Sequence, residues 1–108
     1  MIAVIFEVTP TKEGKEEYLS IAANLKKYLS DLPGFISIER FQSLSSTDKI
    51  LSLSFWENEE SISNWRNFED HISAQIKGRN ELFSEYRIRV CNVVRDYTLA
   101  ERAEAPNN

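Results

Sequence analysis

Two indoles and the chain's only imidazole fall between positions 56 and 71: Trp56, Trp65 and His71. They sit where an apolar strand hands over to a helix, a place that can hold an aromatic ligand. An imidazole with an ordinary pKa near ~6.5 can take a proton at neutral pH. Indoles offer flat apolar walls and one N–H donor each. Each residue also has a plain structural reading. Trp65 falls on the apolar stripe of its helix, as a core residue would. Trp56 could be interface packing, and His71 could face solvent between Asp70 and Ile72.

Other chemistries lack their residues. One histidine and one cysteine are too few for a metal site, and His71 with Glu69 and Asp70 lacks ligand spacing. Cys91 sits in a strand pattern, where a small buried residue is expected. Gly14, Gly34 and Gly78 form no phosphate loop. No base accompanies Ser45-Ser46-Thr47 in sequence.

The positioning elements follow from periodicity. Ile2 to Val8 is β-branched and aromatic and reads as a strand buried on both faces. Lys12 to Asp31 reads as a helix with Thr11 as N-cap. Tyr18, Ile21, Ala22, Leu25, Tyr28, Leu29 and Leu32 lie along its apolar face. Leu32-Pro33-Gly34 stops it. Phe35 to Ser43 alternates, with Ile36 and Ile38 on one side and Phe35 and Phe41 on the other. A polar turn leads to Ile50–Trp56, so the two form a hairpin.

In that third strand, Leu51, Leu53 and Phe55 are expected to face a helix-packed core. Ile50, Ser52, Ser54 and Trp56 share the other face. The small serines between two large ends leave room, as a pocket floor would. Asn58 can cap the next helix, with Glu59 and Glu60 in its first turn. Ile62, Trp65, Phe68 or Glu69, Ile72 and Ile76 continue its stripe up to Gly78. Tyr86 to Tyr97 reads as the last strand. Ile88, Val90 and Val94 lie on one face, and Arg87, Arg89, Cys91, Val93, Arg95 and Tyr97 on the other.

The order β-α-β-β-α-β is that of an α+β, ferredoxin-like fold: a four-stranded antiparallel sheet with both helices on one face. Residues 1–98 form the domain, and 99–108 a polar tail expected to be mobile. The uncovered sheet face would expose Phe35, Phe41, Ile50 and Trp56, a patch that implies an interface or a ligand groove. Sheet-on-sheet pairing would make a homodimer, a dimeric α+β barrel, and enclose a cavity. Arg87, Arg89 and Arg95 would make salt bridges with Glu7, Glu39 or the partner. Alternatively, one of them would stabilise a phenolate or an oxygen-derived anion.

Of 108 residues, 13 are basic and 17 acidic, giving a net charge of −4, and the basic residues form no cluster beyond Arg87, Arg89 and Arg95. That argues against a nucleic-acid partner. No run approaches the roughly 18 apolar residues of a membrane span. Met1 to Phe6 is too short for a signal core and lacks a basic leader. The expected location is cytoplasmic.

The topology resembles the antibiotic biosynthesis monooxygenase family of dimeric α+β barrels. So do the Leu32-Pro33-Gly34-Phe35 turn, the Phe55-Trp56-Glu57 strand end, the acidic helix start, and Trp65 followed by His71. The resemblance spans roughly residues 1 to 98. It implies a monooxygenase that uses no metal, haem or flavin, whose phenol, quinol or polyketide-like substrate supplies the electrons that activate oxygen. It makes Asn64, Trp65 and His71 the catalytic candidates, with His71 as proton acceptor and the other two positioning the substrate. Trp56, Ser52, Ser54, Phe41, Arg87 and Arg89 would line the pocket. Asn64 as an exposed helix residue is the plain alternative. The family also includes haem-degrading enzymes, with a first-strand asparagine and a histidine ten residues after a tryptophan. This chain has Phe6 and Gln75 there, which argues against haem degradation. A non-catalytic small-molecule binding or sensing module of the same fold is the other reading.

Overall fold

The computed structural model describes residues 1–66 and 83–105. Phe68, Glu69, His71, Ile72, Gln75, Ile76 and Gly78 lie outside them. Strand β1 spans Ile2–Pro10, helix α1 Lys15–Leu29, β2 Phe35–Gln42, β3 Ile50–Trp56 and β4 Phe83–Asn92. A second helix, α2, starts at residue 59 and is described as far as 66. The strands lie in the order β2-β3-β1-β4, with every neighbouring pair antiparallel. This is the ferredoxin-like α+β fold that the element order predicts.

Local chemistry sets the boundaries. The Thr11 hydroxyl accepts the Gly14 N–H at 2.9 Å, so it caps the turn before α1, while Gly14 itself stands at the N-cap. Glu16 and Glu17 in the first turn and Lys26 and Lys27 in the last complement the helix dipole. Tyr18, Ala22 and Leu29 are the buried positions of α1. Tyr28, expected on the apolar face, is exposed.

Gly34 follows with a φ of 83°, a conformation that costs a residue with a Cβ. Its carbonyl accepts the Glu57 N–H at 2.8 Å. The turn after α1 is thereby tied to the start of α2. The Asn58 carboxamide oxygen caps α2 as expected, accepting from the Ser61 N–H at 2.9 Å and the Ser61 hydroxyl at 2.8 Å.

The last strand starts at Phe83 and stops at Asn92, short of the expected Tyr97. Phe83 pairs with Pro10 across a register irregularity that leaves Ser84 of β4 unpaired in the ladder. One further backbone bond, from the Val93 N–H to the Met1 carbonyl, closes this end. Residues 96–105 then bond among themselves, Thr98 to Glu101 and Asp96 to Glu104, with Arg102 over the Tyr97 ring at 5.2 Å.

Which face of the sheet the helices cover differs from expectation. Ile2 and Trp56 pack with Leu29 of α1 and Ile62 of α2, and Val4, Phe35, Ile38 and Trp65 join them. Val8 and Ile50 pack with Tyr18 of α1, joined by Phe6 and Phe83. The face of Ile50, Ser52, Ser54 and Trp56 is therefore the helix-covered one. Leu51, Leu53 and Phe55 lie on the open side.

Phe35, Ile50 and Trp56 thus belong to the core and not to an exposed patch; Trp56 is only 1% exposed. Two causes produced the difference. The register of β2 shifts between Phe35 and Ser37, which brings Phe35 and Ile38 onto one face and sends Phe41 to the other. Two serines in β3 also made a buried face look like a solvated one. Nor is β1 buried throughout: its middle, Val4 to Glu7, is partly exposed.

Candidate active site

Antiparallel pairing puts directly opposed residues on the same face, so the covered face can be read in rungs. Phe35, Trp56, Ile2 and Asn92 form one rung. Ile38, Ser54, Val4 and Val90 form the next, then Arg40, Ser52, Phe6 and Ile88. Gln42, Ile50, Val8 and Tyr86 complete the series.

The two end rungs anchor separate apolar clusters. At one end Phe35 and Trp56 stack edge-on at 5.3 Å, and Trp65 lies 6.4 Å from Trp56 at 31°. At the other end Phe6, Tyr18, Phe83 and Tyr86 make edge-to-face contacts at 5.3–6.4 Å. Between the clusters the floor of β3 is Ser52 and Ser54, both buried. Val4 and Ile38, on the Ser54 rung, pack with the first cluster and Phe6, on the Ser52 rung, with the second, so the two clusters meet between the serines.

Burying polar groups between aromatic clusters is costly unless they are hydrogen-bonded. Ser54 is: its Oγ accepts from the Trp56 indole N–H at 3.0 Å. The hydroxyl keeps its own proton to donate. On the β4 side of the same rungs, Ile88 and Val90 remain about half exposed. An apolar wall, two aromatic ends and a hydroxyl floor suit a small, mostly apolar molecule with a few oxygens.

The structure brings Trp56, Ser54 and Trp65 together, with Ser52 one rung away. It separates Phe41, Arg87 and Arg89 from them, since all three lie on the open face. Asn64 is exposed on α2, and His71 lies outside the described residues. Arg89 bonds to Glu7 at 3.2 Å, and Lys49 pairs with the other Glu7 oxygen at 3.3 Å. The hydrogen bond from Lys49, then the charges of Lys49, Arg89 and Arg87, hold the Glu7 carboxyl below its ordinary pKa of 4.5. Arg87 also lines an open polar hollow beside the β2–β3 turn, with Lys49, Glu85 and Tyr86. That hollow is on the far side of the sheet from the tryptophans.

Sequence reasoning passed over Arg40. It shares a face with Ile38 and stands opposite Ser52, and its Nε is buried without a hydrogen-bond partner. The signal was available: an arginine two residues after Ile38 keeps the parity of an inward position. Among the described residues, no group of three or more His, Cys, Asp or Glu could hold a metal ion. No described helix is long and apolar enough to cross a membrane.

Comparison with known proteins bears on this site. The sequence pattern of the family described as antibiotic biosynthesis monooxygenase matches residues 1–77. The jasmonate monooxygenase ABM of Pyricularia oryzae is 44% identical over 93 residues, covering 86% of this chain but 43% of that protein. The chain thus spans less than half the length of this relative. YqjZ of Bacillus subtilis is 28% identical over 99 residues, 92% of this chain and 84% of its own.

Among solved structures, Rv0793 of Mycobacterium tuberculosis superposes with a TM-score of 0.77 at 11% identity, covering 90% of this chain and 98% of that one. The haem-degrader MhuD of the same organism, solved with two haems in its active site, gives 0.68 at 18%, covering 91% and 100%. Those two likenesses establish the fold. The match over residues 1–77 goes further: the chain belongs to the antibiotic biosynthesis monooxygenase family.

Proposed function

We propose that this protein is a monooxygenase that oxidises a small aromatic substrate of the phenol, quinol or polyketide type with molecular oxygen, using no metal, haem or flavin. The observation that carries the reading is the divided core: a tryptophan pair at one end of a buried serine floor, in a chain of this family. The reaction balances without a further reductant when the substrate is an anthrone. One oxygen atom replaces two hydrogens on the ring methylene to give a carbonyl, the other leaves as water, and the substrate supplies all four electrons. The protein has to hold the substrate, remove a proton and exclude bulk water. Trp65 lies against the ring with Trp56 behind it in the core, Ser54 offers its proton to a substrate oxygen, and His71 is the proposed base. Asn64 would have to turn inward to take part.

A second substrate reading has its own support. The Pyricularia relative is named for jasmonate, a small non-aromatic acid. Hydroxylating such a molecule needs two electrons from an external donor. Oxygen uptake with anthrones and quinols, set beside jasmonate with and without a reductant, tests both. Uptake with an anthrone alone, one O₂ per product, is the expected result. Uptake only with jasmonate and a donor favours the second reading.

We also propose that a second copy of the chain covers the open face. Leu51, Leu53, Phe55, Ile5 and Phe41 give it an apolar surface that no described element covers. The Pyricularia relative is more than twice as long as the segment it shares, which leaves room for a second unit of this size. A dimer of standard size would bury about 1,600 Å² in total.

A further inference from the structure

We propose that Arg40, with Ser52 beside it, is the oxyanion-recognition point of this site, taking a carboxylate or phenolate oxygen of the bound molecule. The proposal rests on the reading of the divided core as a ligand site and specifies which chemical group the ligand must carry.

Among the described strand residues of the covered face, Arg40 is the one charged side chain. Its Nε is buried and makes no hydrogen bond. The ion pairs of the described residues, Lys49 with Glu7 and Arg89 with Glu7, do not include it. Buried side-chain donors nearly always have a partner, so an unpartnered one calls for an explanation. A guanidinium presents several N–H groups in a plane and matches a carboxylate with two parallel hydrogen bonds. Ser52, directly opposite on β3, is buried at 6% exposure and adds a neutral O–H donor. Ser54 lies diagonally across, about 7–8 Å from Arg40 between Cα atoms, within reach of a long side chain.

The fold does not require an arginine here. Ile38, two residues earlier on the same face, packs into the core as an apolar residue does. Arg40 instead leaves a buried donor unused. The contrast with Arg89 is direct, because Arg89 already binds Glu7 on the other face. Arg40 is partly exposed, but its buried Nε has no protein partner, and that is the donor a ligand oxygen would complete.

The test is calorimetric and needs no turnover. Jasmonate and 2-naphthoate, each beside its neutral methyl ester, are titrated into the wild type and Arg40→Met. The expected result is that Arg40→Met binds at least one acid about 10- to 100-fold more weakly and its ester unchanged. Without ligand, the variant should melt no lower than the wild type. Equal affinity of both proteins for every acid they bind overturns the role of Arg40 but leaves the site standing. A fall in melting temperature of more than about 4 °C, on the order of 1 kcal/mol for a domain this size, would assign Arg40 to the fold and overturn the proposal. If none of the four compounds binds the wild type, the site reading falls and Arg40 falls with it.

Discussion

Trp56 donates its indole N–H to Ser54 Oγ, two residues back along the same strand, at 3.0 Å. A side chain 1% exposed has no water to turn to, so this bond is what permits a tryptophan at the rim of a serine floor. Ser54→Ala leaves the N–H buried and unpaired, which should cost about 1–3 kcal/mol. Trp56→Phe keeps a ring but opens a void and is expected to cost a similar amount. Made together, they should cost clearly less than the sum, because Trp56→Phe removes the donor that Ser54→Ala strands. Urea unfolding of the two single variants and the pair measures this.

Gly34 is held at a φ of 83°, and a Cβ there would overlap the Ser61 side chain. Gly34→Ala should destabilise by more than about 1 kcal/mol, since both the backbone conformation and the contact oppose it. Adding Ser61→Gly should recover only the contact part. Full recovery in thermal melts would show that the backbone conformation costs nothing.

Leu53 stands at the centre of the open face, opposite Ile5 on β1 and Glu39 on β2. If a second copy covers this face, Leu53→Arg should weaken association at least tenfold by placing a charge in an apolar interface. Light scattering at micromolar concentration reads the outcome. A monomeric wild type would reject the proposed assembly.

Glu7 sets a pH dependence whose sign is fixed. Its carboxyl is held below 4.5 in the folded state by Lys49, Arg89 and Arg87, so the unfolded chain binds its proton first on acidification. The stabilisation is fully present above the ordinary carboxylate pKa and is lost as pH falls through the lower folded value. Glu7→Gln should therefore lower stability near neutrality and reduce its fall between about pH 5 and 3. Because the group is solvent-screened, the effect is expected to shrink in high salt. Denaturation at pH 7 and pH 3.5 gives the comparison.

His71, the proposed base, can be tested through the rate alone. Oxidation of an active anthrone should rise with pH through about 6 to 7, the range of an ordinary imidazole. His71→Ala should lower turnover about 100-fold or more while leaving the melting temperature within a few degrees. Trp65→Phe should act mainly on KM, since it keeps an apolar ring against Trp56. An unchanged rate in His71→Ala would give the base to another group.

The element order, the β2–β3 hairpin and the Asn58 cap were legible because each depends on residues close in sequence. The covered side of the sheet was not. Alternation tells which residues share a face but not which face the helices take. Ser52 and Ser54 made the buried side read as polar, and the register shift at Ile36 put Phe35 out of step with the rest of β2. The same error placed Arg87, Arg89 and Phe41 with the tryptophans, when the sheet itself lies between them. The indole bond to Ser54 is a rotamer-level fact that no spacing announces.

The sheet order leaves β2 and β4 as its two outer strands. Outer strands carry unpaired backbone groups that can recruit a strand from another molecule and seed fibres. Here Glu39 and Arg40 mark one margin, and Glu85, Arg87 and Arg89 the other. Their charges make edge-to-edge growth into a continuous ribbon unfavourable, and Glu39, Arg87 and Arg89 also border the open face, whose apolar centre stays available. If a second copy covers that face as proposed, the charged margins favour this finite pairing over endless growth.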